Sequence, residues 1–216
     1  MKYKIIHQSW STKFLPVKYK SNQLTLKKYF KDCKFKLWTD EDNDIFIKEK
    51  FPDFYPIYSN YNNKINQVDS ARFFYLYEYG GLYIDLDVLL KKDIKPLLDQ
   101  SCCLFSQDSN KSYYNHKNLK FYIDSMCMYS EPKNKFIKNI IDHLYKNEFV
   151  NIENVLDNVF VTGPGMVTNL YNSLKPDIKL NHNKIIVKHD LGLYEDIYGI
   201  HYCNNTWVGK KYHLDK

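Results

Sequence analysis

The sequence predicts an α/β domain, a mixed sheet flanked by helices, and three observations lead there. Short apolar runs of strand length alternate with longer stretches of helical spacing along the chain. With 216 residues, 44% hydrophobic and 17% aromatic, the chain can bury the core of one folded domain and is not disordered. Residues 64–89 then join a helical pattern to an apolar run through Gly80-Gly81, a sharp passage from helix to strand.

Taken in order, residues 2–6 read as a first strand, which puts His7, Gln8 and Trp10 near its carboxyl end. Ligands gather at the carboxyl ends of strands in open α/β sheets, so Trp10 could stack on a planar base, although a lone Trp is more often a core residue. Residues 17–30 have the apolar spacing and lysines of a surface helix, and 35–38 alternate as a second strand. Thr39-Asp40 caps a helix over 41–51, so Asp40, Glu41, Asp42 and Asp44 suit a helix start better than a metal cluster. Residues 52–62 read as short helices leading into 64–79. There Ile65, Val68, Ala71, Phe74, Tyr75, Leu76 and Tyr79 are too widely distributed for a broad wet face. The glycine pair stops this helix and permits the positive φ of a tight turn.

Residues 82–90 form the next predicted strand, with Asp85 and Asp87 set into it, and 94–98 a turn with a short helix. Residues 102–105 read as a strand, and 106–118 as a polar, mobile loop suited to acceptor contacts. Residues 122–128 return to the sheet, and 133–146 are an amphipathic helix with Phe136, Ile137, Ile140, Ile141 and Leu144 as its buried stripe. Residues 161–165 are a Gly/Pro turn before a helix that runs through Leu174, and 184–188 a late strand. The tail carries His201 and Trp207.

Charge and cysteine usage narrow the function classes. The net charge of +6 reads as spread out, which fits a small anionic substrate; no basic stripe interleaved with aromatics points to nucleic acid. Cysteines 33, 102, 103, 127 and 203 are odd in number and form no C-x-x-C, which fits a reducing compartment. No apolar run approaches the ~20 residues of a transmembrane helix, so a cytoplasmic location is expected.

The chemistry concentrates around the two aspartates. On one strand, residues two apart share a face, so a single cation would serve Asp85 and Asp87 together. Hard oxygen ligands suit Mg²⁺ or Mn²⁺. An isolated D-x-D more often just ends a strand in water. Here the helix in front adds Asp69 and Arg72, one turn apart, and Arg72 is the only arginine among 31 basic residues. Its planar fork suits phosphate or carboxylate as lysine does not, against the plainer alternative of a helical ion pair.

With Asp69-Ser70-Ala71-Arg72 followed by Tyr79-Gly80-Gly81-Leu82-Tyr83-Ile84-Asp85-Leu86-Asp87, the stretch resembles the signature of glycosyltransferases with the DxD sugar-binding region, the group of the yeast initiating mannosyltransferase. It is also similar to the glucosylating domain of large clostridial toxins. Val68 stands where the family has a Ser before the Asp. The resemblance implies a GT-A-like, Rossmann-related fold in a single domain over 1–216, with a helical excursion at about 41–80. It extends to the opening I-H-Q-x-W, where it implies that Trp10 stacks on the base with Gln8 nearby. It extends further to the T-G-P segment with Gly163, which borders donor and acceptor, and to the H-x-x-x-x-T-W ending of His201 and Trp207. Asp124 stands where the family tends to carry Asn, which puts a charge near the expected sugar pocket.

What the resemblance implies is a metal-dependent transferase that uses Mn²⁺ or Mg²⁺, takes a UDP- or GDP-linked sugar to a glycan or other hydroxyl acceptor, and retains configuration. Asp85, Asp87 and Arg72 are the catalytic candidates. Gln8, Trp10, Asp69, Arg72, Tyr83, Asp85, Gly163 and Trp207 would line the nucleotide-sugar site. Asp87 and His201 would hold the metal, with Asp85 joining directly or through water. Two other readings stay open. I-D-L-D-V also fits a haloacid-dehalogenase-type phosphatase strand, and the chain could be a non-catalytic nucleotide-sugar or glycan-binding module.

Overall fold

The chain opens with β1 (Ile5–Ser9), α1 (Val17–Tyr29) and β2 (Lys34–Trp38) in the computed structural model, which describes residues 4–108, 121–146, 158–188 and 192–203. Three helices follow: α2 (Asp40–Lys50), α3 (Tyr55–Ser59) and α4 (Lys64–Tyr79). Thr39 caps α2 through a capping box: its hydroxyl accepts from the Asp42 N–H, and the Asp42 carboxylate accepts from the Thr39 N–H. The acidic run is therefore a helix start.

Beyond α4 come β3 (Gly81–Ile84), β4 (Val88–Leu90), a 3-10 turn (Lys95–Leu97), β5 (Cys102–Asp108) and β6 (Phe121–Ser130). The rest is α5 (Lys135–Lys146), α6 (Asn158–Val161), α7 (Pro164–Leu174), β7 (Lys179–His182), β8 (Ile185–Val187) and β9 (Gly199–His201). The main sheet has six strands in the order β2-β1-β3-β6-β5-β7, and a second has three in the order β4-β9-β8. In the main sheet β6 alone runs against its neighbours. From β1 the chain passes through α1 to β2 on one side, and from β2 through α2–α4 to β3 on the other side of β1. The carboxyl ends of β1 and β3, Ser9 and Ile84, thus flank a topological switch point, where α/β sheets open a crevice.

Each face of the main sheet buries its own apolar cluster. One joins Trp38, Phe46, Phe74 and Ile140 from β2, α2, α4 and α5 with Phe54 at the start of α3; the other joins Leu26, Phe30, Ile6 and Leu82 beneath α1. The five α5 residues expected inside are all buried. In α4 every residue from Asp69 to Leu76 is buried, so this helix runs through the interior, as its wide apolar distribution implies. Gly80 and Gly81 have φ of +63° and +102°. A Cβ on Gly81 would lie 2.3 Å from the Ile5 carbonyl oxygen, so the residue must be glycine for conformation and for space.

The structure corrects one expectation about the centre. Residues 82–90 are not one strand: β3 ends at Ile84, and β4 begins at Val88 in the other sheet. The Asp85 carbonyl accepts from the Val88 N–H at 3.2 Å, which makes Asp85–Val88 a turn. The two aspartates thus come together because the chain reverses, not because a pleat puts them on one face. Two short strands, β7 and β9, go beyond those expected. Residues 109–118 of the polar loop lie outside the described residues. Among the described residues no helix is long and apolar enough to cross a membrane.

Candidate functional site

The Asp85–Val88 turn is fastened from three directions. The Asp85 N–H donates to the Met126 carbonyl of β6 at 2.8 Å, and the Asn22 amide of α1 donates to the Leu86 carbonyl at 3.0 Å. The Tyr202 N–H donates to the Asp87 carbonyl at 3.0 Å. Because β9 pairs with β4 in the register Val88↔His201, the imidazole arrives beside Asp87, with its Nε2 3.3 Å from the Asp87 carboxylate. Asp85, Asp87 and His201 each present a ligand atom, and these atoms lie within 4.8 Å of one another.

Behind the turn stands Arg72. Its guanidinium meets Asp69 at 2.5 Å, donates to the carbonyl and hydroxyl of Ser125 at 3.1 and 3.0 Å, and lies 4.0 Å from Asp85. It also stacks over the Tyr83 ring, 4.6 Å from the centroid. Only 5% exposed, it directs its two terminal nitrogens at protein oxygens, while its buried Nε has no hydrogen-bond partner among the described residues. Tyr83 completes the link: its hydroxyl donates to Asp85 at 2.8 Å and lies 2.9 Å from the Ser9 hydroxyl at the end of β1.

Burial dominates the electrostatics. It pushes the Asp85 carboxyl up to about 6, with Asp87 adding to the rise and Arg72 opposing it. It also raises Asp69 to about 6 against the pull of Arg72. For His201 burial favours the neutral ring, but hydrogen bonds to Asp124, Asp87 and Cys203 outweigh it and hold the imidazolium form well above its usual range. Asp85, Asp87 and His201 form a group of side chains that could hold a metal ion. Two carboxylates and an imidazole fit Mn²⁺, which accepts nitrogen beside oxygen, and fit Mg²⁺ less well.

The remaining candidates fall around this centre. Gly163 caps the start of α7 beside Asp69, where a Cβ would sit 3.3 Å from the Asp69 carboxylate. Trp10, half-buried at the carboxyl end of β1, meets the edge of Tyr19 at 5.1 Å. Gln8 is buried within β1, and its carbonyl accepts from the Gln23 amide of α1 at 3.1 Å. Trp207 lies outside the described residues. Asp69, Arg72, Tyr83, Asp85, Asp87 and His201 are thus joined by direct contacts, with Gly163 against them and Gln8 and Trp10 on the adjoining strand. Two contributors, Asn22 and Ser125, carry no sequence signal, and Asp124, which the sequence marks as a charge near the expected sugar pocket, was not among the candidate ligands. Asp124 lies 3.5 Å from His201 Nδ1 and accepts from the Gln107 amide and the Met126 N–H, each at 3.0 Å.

A GT-A-like sheet with an acidic turn at its switch point is a glycosyltransferase architecture. Residues 16–104, from the edge of α1 into β5, match the family described as "Glycosyltransferase sugar-binding region containing DXD motif". Among curated proteins it is similar to inositol phosphoceramide mannosyltransferase 2 of Schizosaccharomyces pombe, 28% identical over 209 residues, which cover 94% of this chain and 57% of that protein. It is similar as well to a mannosyl phosphorylinositol ceramide synthase of Saccharomyces cerevisiae, 41% identical over 95 residues, or 44% of this chain and 25% of that protein. The chain thus spans little more than half of the first relative's length and a quarter of the second's. The solved structure of PaToxG Glycosyltransferase superposes with a TM-score of 0.56 at 19% identity, over 80% of this chain and 70% of that one. At that identity the likeness is one of fold, and the fold is GT-A-like.

Proposed function

We propose that the chain is a metal-dependent glycosyltransferase that moves a sugar from a nucleoside-diphosphate donor to a hydroxyl acceptor, with retention. The observation that carries this reading is the meeting of Asp85, Asp87 and His201, from distant stretches of chain, with ligand atoms within 4.8 Å. The names of the relatives make a GDP- or UDP-linked mannosyl donor, and an acceptor bearing a phosphoinositol headgroup, the first to test.

Breaking the anomeric bond builds negative charge on the departing diphosphate. A divalent ion, when bound, supplies the positive charge that stabilises this leaving group. Asp87 and His201 would hold that ion, with Asp85 contributing directly or through water. Arg72, from beneath, keeps Asp85 and Tyr83 in place and favours the ionised form of Asp85 that burial opposes. Trp10 offers a flat surface to the base.

Thermal-shift measurements with GDP- and UDP-sugars, with and without Mn²⁺, are expected to yield a manganese-dependent rise in Tm for one donor. For that donor, Asp87→Ala is expected to lower transfer on the order of a hundredfold or more, while its Tm in chelator stays near wild type. Normal turnover by Asp87→Ala removes the metal assignment. Phosphate-ester hydrolysis without sugar transfer would favour the phosphatase, and donor binding without turnover the binding module.

A further inference from the structure

Helix α1 turns one side toward the acidic turn and the other toward solvent. On the inner side, Asn22 and Gln23 donate to Leu86 and Gln8, and Tyr19 and Leu26 are buried. On the outer side, Val17 is 78% and Leu24 67% exposed, and Phe14, in the loop between β1 and α1, is 87% exposed. Positions 17, 20, 21, 24, 27 and 28 share one helical face, so Lys20, Lys27 and Lys28 surround the two apolar side chains. Lys13, Lys18 and Lys31 extend the same exposed surface.

The charge of the chain is segregated here, although along the sequence it reads as spread out. No Asp or Glu precedes Asp32, so all 25 carboxylates of the chain follow residues 13–31, which hold six lysines. Elsewhere lysines pair with carboxylates, as Lys36, Lys92, Lys138 and Lys179 do. Among the described residues none of these six does. Lysine richness alone would not account for Phe14, Val17 and Leu24, three of the seven large apolar side chains exposed among the described residues, gathering at the same place.

We propose that residues 13–31 dock the protein on a membrane that carries anionic lipids. Phe14, Val17 and Leu24 enter the headgroup region, and the lysines face the lipid phosphates. An exposed apolar set ringed by lysines fits this partner better than nucleic acid, for which the face offers no arginine fork. Because Asn22 sits on the opposite side of the same helix, docking holds the Asp85–Val88 turn about one helix diameter, ~10 Å, from the bilayer surface. On the transferase reading, which this last point alone rests on, the acceptor hydroxyl is one displayed by a membrane lipid.

Cosedimentation of the full chain with vesicles of phosphatidylcholine, alone or with about 30% phosphatidylserine in ~0.1 M salt, is expected to show binding only to the anionic vesicles. Raising the salt to about 0.5 M should release most of it. Lys20→Glu/Lys27→Glu/Lys28→Glu is expected to weaken partition by more than tenfold, given roughly fivefold for each lysine lost. Phe14→Ser/Val17→Ser/Leu24→Ser should also weaken it, with Tm in solution unchanged for both variants. Equal binding to neutral vesicles, no binding to anionic ones, or indifference to both triple variants overturns the proposal, as does retention on RNA with none on vesicles. No donor is needed for this readout, so a chain that binds vesicles but no nucleotide sugar sinks the transferase reading and leaves the docking surface standing.

Discussion

His201 has a carboxylate on each side of its ring, Asp87 at 3.3 Å from Nε2 and Asp124 at 3.5 Å from Nδ1. A carboxylate behind a ligating imidazole fixes the ring's orientation and leaves the other nitrogen to face the metal. Asp124 can do this because Gln107 and the Met126 N–H hold it in turn. Asp124→Ala is therefore expected to weaken Mn²⁺ binding about 10- to 100-fold, measured by calorimetry or electron paramagnetic resonance without donor. Asp124→Asn, which keeps an acceptor, should recover most of that loss; unchanged affinity in Asp124→Ala refutes the role. The sequence marked Asp124 only as a charge out of place. Its partner could not be read, because His201 reaches it from β9 of the second sheet while Asp124 lies on β6 of the main sheet, a meeting that no local pattern encodes.

At the scale of elements, what was legible follows from how local each element's cause is. Helix α5 has a one-sided apolar stripe and α4 an all-round one, and each is buried accordingly. Strands β7 and β9, reading K-L-N-H and G-I-H, have no alternation to betray them; they are strands because β5, β4 and β8 pair with them. The run through the aspartates read as one strand since apolar residues continue across it. Its break comes from three outside hydrogen bonds to the turn, and so the fold centred on the glycine pair was readable while the shape of the acidic turn was not. The glycine pair gives a direct test. Gly81→Ala combines φ of +102° with a Cβ 2.3 Å from the Ile5 oxygen, and is expected to cost about 2–4 kcal/mol in urea unfolding. Gly192→Ala, with φ of +91° and nothing within 4 Å, should cost only the strain, about 1 kcal/mol. Equal costs would show that the crowding against β1 is immaterial.

For the whole molecule, pH stability turns in part on His7. Its Nδ1 accepts from the Trp38 indole N–H at 3.0 Å, so Nε2 carries the proton it donates to the Gly80 carbonyl at 2.8 Å. A second proton would face an indole that can only donate, and burial lowers this histidine from 6.5 to about 4. The unfolded chain takes up that proton first, so stability is full above pH ~6.5 and is lost as pH falls toward 4. The loss is roughly 2 kcal/mol between about pH 7 and pH 5. Asp69 and Asp85, raised rather than lowered, act in the opposite direction, so the comparison needs a variant that shares them. His7→Gln keeps a donor and an acceptor but cannot titrate; denaturant unfolding at both pH values should show it losing about 2 kcal/mol less than wild type. A parallel loss in both proteins would mean that His7 is not what the acid attacks.

The pairing of β4 with β9 has one more consequence, which concerns the order in which the protein is made. Asp85 and Asp87 leave the ribosome long before β9, the strand that brings His201. Under the proposed ligand set, a growing chain cannot capture its ion while the early half folds. Manganese would then join only once β9 has paired with β4, as a latch fastened across the seam between these two strands.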